Sequence, residues 1–261
     1  MQRNSTLYII SFAAVVCVVC SILVSGAAVL LKSRQDRNIL LDRQKEVLVV
    51  SGLLGADDSI APQEVQRRFE ERIATKYVDL REGTFTELGD TPGIYDPVKA
   101  ANDSATSTAL DPNPAQVRAV PHVALVYEVA DDAGAVDQYV LQVWGNGLWS
   151  TMYGYLALDK DGATVRGLTF YEHGETPGLG GEVDSPGWKA LWPGRKIFDE
   201  NGEPAIEVVK GEAGGPEEDP HRVDGLSGAT ITSNGVEHLI NLWMGDQGYG
   251  PFLAKLREGA V

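Results

Sequence analysis

Apolar residues run almost unbroken from Leu7 to Leu31, LYIISFAAVVCVVCSILVSGAAVLL, and no charged residue falls between Asn4 and Leu31. A helix rising about 1.5 Å per residue over this run exceeds the roughly 30 Å thickness of bilayer hydrocarbon, which predicts one transmembrane helix over 7–31 behind a short tail, 1–6. A cleaved signal peptide is the alternative. Against it, the run is longer than an ordinary signal core, and Lys32, Arg34 and Arg37 follow without a cleavage-like pause. Apolar positions at Ile39, Leu40, Val47 and Leu48 carry helical spacing onward into a stalk, 32–52, that Gly52 is suited to end. A second helix is expected from Pro62, with Val65, Phe69 and Ile73 on one face and Arg67, Arg68, Glu70 and Glu71 on the other. Residues 89–118, rich in Asp, Pro, Asn, Thr, Ser and Ala, read as loop with room for one short helix.

Beyond residue 120 the pattern turns strand-like. The runs His122–Val129, Val136–Trp144, Met152–Leu158 and Thr164–Tyr171 surround the turns Asp131-Asp132-Ala133-Gly134 and Asp159-Lys160-Asp161-Gly162. Turns this short join antiparallel neighbours. A further hairpin is expected from Lys196–Phe198 and Ala205–Val209 around Asp199-Glu200-Asn201-Gly202, and Ser185 with Pro186 reads as a helix start. The fold class is therefore α+β: an antiparallel sheet with flanking helices, preceded by one N-terminal transmembrane helix. Residues 53–120 are expected as a helical and loop insert packed on a main domain of 121–261.

Charge and cysteine content narrow the function. A formal net charge of −15, with no basic cluster that could neutralise a row of phosphates, argues against nucleic acid as a partner. The only cysteines, Cys17 and Cys20, lie inside the apolar run, so the rest of the chain holds no disulfide framework, no cysteine-bound zinc and no iron–sulfur cluster of its own. No metal site and no catalytic side chain is expected. The basic residues after the apolar run outnumber Arg3 and the amino terminus before it, a bias that by itself keeps the large domain cytoplasmic.

The segment with most chemistry is Asp224-Gly225-Leu226-Ser227-Gly228-Ala229-Thr230-Ile231-Thr232-Ser233-Asn234-Gly235, which feeds Val236, Leu239, Ile240 and Trp243 at helical spacing. It is a glycine- and hydroxyl-rich loop at a helix N-terminus, where free N–H groups and the helix dipole favour a phosphate and glycines let the backbone come close. Asn234 and Glu237 are spaced for a capping box. A well-capped helix after a tight turn, with no ligand, fits the same residues.

Ser227-Gly228-Ala229-Thr230-Ile231-Thr232-Ser233 resembles the flavinylation motif of the FMN-binding domain family, in which the threonine after Gly-Ala carries FMN through its phosphate. Three more stretches share the resemblance: Gly145-Asn146-Gly147-Leu148-Trp149-Ser150, Glu172-His173-Gly174-Glu175-Thr176-Pro177-Gly178-Leu179-Gly180-Gly181, and Gly245-Asp246-Gln247-Gly248-Tyr249-Gly250-Pro251-Phe252-Leu253. With the N-terminal helix they extend it over nearly the whole chain to the flavin subunits of Na+-translocating NADH:quinone reductases. The homologous flavin carrier of Rnf complexes shares the flavin motif, but is less similar before residue 120 and at the C-terminus.

The resemblance implies that Thr230 is the covalent FMN site, with Asp224, Gly225, Ser227, Gly228, Ala229 and Thr232 around the phosphate. It also implies that Asn146, Gly147, Leu148 and Trp149, with Glu175, Thr176, Pro177, Gly178 and Leu179, line the flavin. On residue chemistry alone, Trp149 suits a core position as well as a ring contact, and 175–179 suits a plain turn loop. His173, a lone loop histidine, is not counted among the site residues.

Nothing next to Thr230 in sequence activates its hydroxyl, so the resemblance also implies a separate Mg2+-dependent flavin transferase that takes FMN from FAD outside the cytoplasmic membrane. That places the large domain on the periplasmic side of the inner membrane, against the charge bias. The expected partners are the other membrane and peripheral subunits of the reductase complex. The role the resemblance implies is an electron relay from an iron–sulfur centre to the next flavin, and the chain lacks a GxGxxG dinucleotide unit with which to oxidise NADH itself. A non-redox envelope module binding a free phosphate ligand is the rival reading.

Overall fold

The computed structural model describes residues 6–56, 58–88 and 95–260. Arg3, most of the tail and the start of the 89–118 loop lie outside the described residues. Two units divide the chain, Met1–Arg43 and Gln44–Val261.

A single helix, α1 (Thr6–Val50), makes up the described part of the first unit and continues into the second, so the expected membrane span and stalk are one element. It is long and apolar enough to cross a membrane, and its most apolar stretch buries nothing against protein. Its end follows the expectation from Gly52. That glycine has φ +74°, its N–H reaches Val49 O at 3.0 Å, and the Leu53 N–H reaches Leu48 O at 2.9 Å.

The remaining elements are α2 (Pro62–Arg72), β1 (Ile73–Asp79), β2 (Thr84–Thr86), α3 (Pro97–Ala100), β3 (Ser107–Thr108), β4 (Val120–Pro121), β5 (Val123–Ala130), β6 (Val136–Asn146), β7 (Thr151–Asp159) and β8 (Val165–Glu172), then α4 (Pro186–Lys189), β9 (Glu207–Val209), β10 (Arg222–Asp224), α5 (Thr230–Met244) and α6 (Gly250–Arg257). The main sheet has the order β2-β1-β5-β6-β7-β8 with every neighbour antiparallel. The central strands fall where alternation and turns place them.

Two details differ from the sequence reading. Ile73, expected on the apolar face of α2, opens β1 instead, and all seven residues of that strand pair with β5. Ile73, Thr75 and Val78 are β-branched, and the ladder outweighs the short helical pattern before it. Residues 73–79 and 84–86 of the expected helical and loop insert are thus strands of the main sheet. The second difference is at 196–209. The arms meet only near the turn, at Ala205 N–H to Ile197 O (2.8 Å) and a Phe198–Pro204 bridge, and β9 then pairs in parallel with β10. Pro204 has no N–H with which to extend a hairpin ladder.

Both faces of the sheet are covered. On one, Leu141, Val143, Leu156 and Leu168 pack with Val236, Leu239, Ile240 and Trp243 of α5 and with Phe252 of α6. On the other, Val140, Tyr155 and Ala157 pack with Val47, Leu48 and Val50 at the end of α1 and with Val65 and Phe69 of α2. Eight consecutive residues of β6 are buried for this reason. Trp243 fixes α5 to β6 by donating its indole N–H to Trp144 O at 2.6 Å.

Candidate functional site

The tight turn between β6 and β7 is closed by the Gly147 N–H to Ser150 O at 2.9 Å and by the Thr151 hydroxyl donating to Asn146 Oδ1 at 2.8 Å. It turns Leu148 and Trp149 outward, 45% and 69% exposed. Trp149 is therefore a surface side chain, not a core one, and with Leu148 beside it makes an exposed apolar pair of the kind that marks a contact surface. Asn146 is held by its neighbours: its N–H donates to Ala115 O at 2.9 Å, and its side chain is engaged by Thr151.

Glu175 lies beneath this turn, 5% exposed. Its Oε1 accepts the N–H groups of Trp149 (2.9 Å) and Ser150 (3.3 Å), and its Oε2 accepts the Thr232 hydroxyl at 2.6 Å. Burial pushes this carboxyl up. The Thr232 hydroxyl and the backbone N–H groups of Trp149, Leu148 and Ser150 outweigh burial and hold it below the usual glutamate range, so it is ionised at neutral pH. Glycines make room for it: a Cβ on Gly147 would lie 2.6 Å from Oε1, and one on Gly180 would lie 2.7 Å from Oε2.

His173 has a part that sequence reasoning did not give it. Its Nδ1 accepts the Glu175 N–H at 3.2 Å, so Nε2 carries the proton and donates to Asp184 Oδ2 at 2.7 Å. Lys189 pairs with the other Asp184 oxygen at 3.2 Å. Thr176, Pro177 and Gly178 follow at the surface, Gly178 with φ +77°, and Leu179 is left 45% exposed.

Helix α5 begins at Thr230, four residues before Asn234, so the expected capping box does not form. Asn234 is inside the helix and Glu237 Oε2 accepts the Val208 N–H at 2.9 Å. The first helix bond runs from Ser233 N–H to Ala229 O (3.0 Å), and Ala229 at the cap offers no side-chain acceptor. The N–H groups of Thr230, Ile231 and Thr232 are thus the uncapped donors of the helix. The turn before it is held by Leu226 N–H to Ser233 Oγ (2.9 Å) and by Gly225 N–H to Val209 O (2.7 Å). Asp224 acts from behind: its Oδ1 accepts the Ala213 N–H at 2.8 Å and its carbonyl accepts the Trp188 indole at 2.8 Å. Gly228 has φ +73°, and a Cβ there would approach Leu179 Cδ2 at 3.1 Å.

The turn at 147–150, the loop at 173–181 and the start of α5 therefore meet around one carboxylate. Ser227, Gly228 and Thr230 are exposed, whereas Thr232 is fully buried with its hydroxyl committed to Glu175. Ile231, 59% exposed, joins Leu148, Trp149 and Leu179 as exposed apolar side chains of these three segments. A cleft of about 460 Å³ borders Thr230, with Val209, Lys210, Gly211 and Ser227 among its lining residues. Sequence reasoning missed Ile231 and the 209–211 wall. Ile231 carried a faint signal, an isoleucine between two threonines at a helix start, while the wall comes near only through the β9–β10 pairing.

Uncapped N–H groups suit a phosphate, close glycine backbone suits its approach, and exposed apolar side chains suit a planar ring. Fold and site together define a flavin-binding domain, and the family model of the FMN-binding domain matches residues 147–245. The C subunit of the Na(+)-translocating NADH-quinone reductase of Yersinia pestis is 48% identical over 95% of this chain and 91% of its own length. That of Pseudomonas aeruginosa is 46% identical over 99% and 98%. Among solved structures, NqrC of Shewanella oneidensis superposes with a TM-score of 0.76 at 32% identity, over 86% of this chain and 99% of that one. The C subunit from Parabacteroides distasonis gives 0.64 at 30% identity, over 85% and 96%. The chain belongs to the NqrC family, the C subunits of Na+-translocating NADH-quinone reductases.

Proposed function

We propose that this chain is the subunit of a membrane-bound, Na+-translocating NADH-quinone reductase that carries FMN covalently, as a phosphoester on the Thr230 hydroxyl. The observation that carries the linkage is the contrast between two threonines in the first turn of one helix. Thr230 is exposed at the first position of α5, and Thr232 is buried as a donor to Glu175. A phosphate on Thr230 is next to the uncapped N–H groups and at the positive end of the helix dipole. Gly228 leaves the approach open, and Trp149, Leu148, Leu179 and Ile231 give a ring an apolar seat.

The chemistry FMN supplies when bound is a relay of electrons from an iron–sulfur centre of partner subunits to the next flavin. The chain's part is to hold, orient and partly shield it. Among the described residues no base is hydrogen-bonded to the Thr230 hydroxyl, which supports modification by a separate flavin transferase. In that reaction the threonine oxygen displaces AMP from the FMN phosphorus of FAD, and the hydroxyl proton passes to a base of the transferase. The deciding measurement is the mass of the peptide containing Thr230 from chain made alongside such a transferase. An FMN-phosphoryl increment is expected there, and an unmodified peptide would sink the linkage.

Attachment outside the cytoplasmic membrane implies that the domain after α1 faces the periplasm. Complex assembly then overrides the bias of Lys32, Arg34 and Arg37. A reporter fused after Val261 should behave as exported; activity of a reporter that works only in the cytoplasm would reverse the placement.

A further inference from the structure

Glu175 is a carboxylate with no cation. Among the described residues no lysine or arginine pairs with it, and its bonds come from the Thr232 hydroxyl and the backbone of the β6–β7 turn. Its burial at 5% exposure removes most of the water that would screen its charge. The segments it joins are those that present Trp149, Leu179 and Thr230. A fixed negative charge beneath a redox ring opposes the arrival of further negative charge there.

We propose that Glu175 is a positioning residue whose buried charge also lowers the reduction potential of the flavin seated on these three segments. This rests on the Thr230 reading for where the flavin sits. The site's geometry also provides a neutral substitute. In Glu175→Gln the amide oxygen can keep the Trp149 N–H, and the amide nitrogen can donate to Thr232, whose hydroxyl hydrogen rotates away. Thr232→Val does the opposite, loosening the clamp while the Trp149 and Ser150 N–H groups still hold the carboxylate, and the titrations are run at alkaline pH so that its charge is kept in every variant that retains it.

The test is a redox titration of the flavin in the full-length chain, comparing wild type, Glu175→Gln, Glu175→Asp and Thr232→Val. Glu175→Gln should move the potential positive by at least a tenfold change in the reduction equilibrium, about 59 mV for a one-electron couple or about 30 mV for two. Glu175→Asp, which keeps the charge, should stay near the wild-type potential, and Thr232→Val should lie at or below it. An unchanged potential in Glu175→Gln overturns the proposal. So does a positive shift in Thr232→Val as large as that of Glu175→Gln, because loop displacement would then be the cause. If Glu175→Gln takes up no flavin, the sign of the Thr232→Val shift decides alone, a positive shift overturning the proposal. Wild type lacking a covalent flavin would overturn the attachment reading instead, and the same comparison then runs on chains reconstituted with free FMN.

Discussion

Thr230→Ala is expected to reduce the flavin fluorescence of the denatured chain to background, whereas Thr232→Ala should keep the fluorescent band. Loss of the only exposed hydroxyl in the first turn of α5 removes the proposed attachment atom, and Ala at that position leaves the helix start otherwise intact. Thr232→Ala strips a hydrogen bond from a buried carboxylate, which costs about 1–3 kcal/mol. Its effect should appear as a lower unfolding midpoint, with attachment retained. Denaturing electrophoresis under long-wave illumination, beside a urea melt of each variant, separates the two. A band that survives Thr230→Ala and vanishes with Thr232→Ala would move the site.

Gly235→Ala should be the most damaging small substitution in α5. A Cβ there would lie 2.4 Å from Asn146 O and 3.2 Å from Gly147 Cα, both backbone atoms of the turn that carries Trp149. Neither can swing aside as a side-chain tip would, so the helix must back away from the turn. Overpacking of this kind costs about 1–3 kcal/mol. The retreat would also draw Thr232 from Glu175 and spread the three segments apart. The expected result is a lower urea midpoint for the unmodified chain and weaker flavin incorporation when the transferase is present. An unchanged midpoint would mean that helix and turn are not packed as described.

How much of the fold and site is legible in the sequence depends on the range of the interaction. The apolar run, the four central strands and the stop at Gly52 are set by neighbours within a few residues, and each appears where the pattern puts it. Strand β1 is hidden because Ile73 fits a helical spacing as well as a strand, and only its pairing with β5, some fifty residues later, decides between them. The site divides in the same way. Glycines, hydroxyls and Thr230 can be read as a helix entrance. The partner of Thr232 is 57 residues away, and His173 acquires its role only when Asp184 comes within 2.7 Å. Asn234 and Glu237 show the converse: spacing for a local motif, overruled by a helix that starts one turn earlier.

The openness of the seat has a thermodynamic corollary. With Trp149 69% exposed and Leu148, Leu179 and Ile231 also facing solvent, a ring seated on them as proposed would lie on an open surface, which gives little affinity for a freely diffusing one. A ring tethered through Thr230 needs little. A short flexible link holds it at an effective concentration in the millimolar range, so even weak contacts keep it docked most of the time. On the proposed linkage, occupancy becomes independent of the cell's free FMN, and the uncovered edge of the ring stays available for another redox centre to approach.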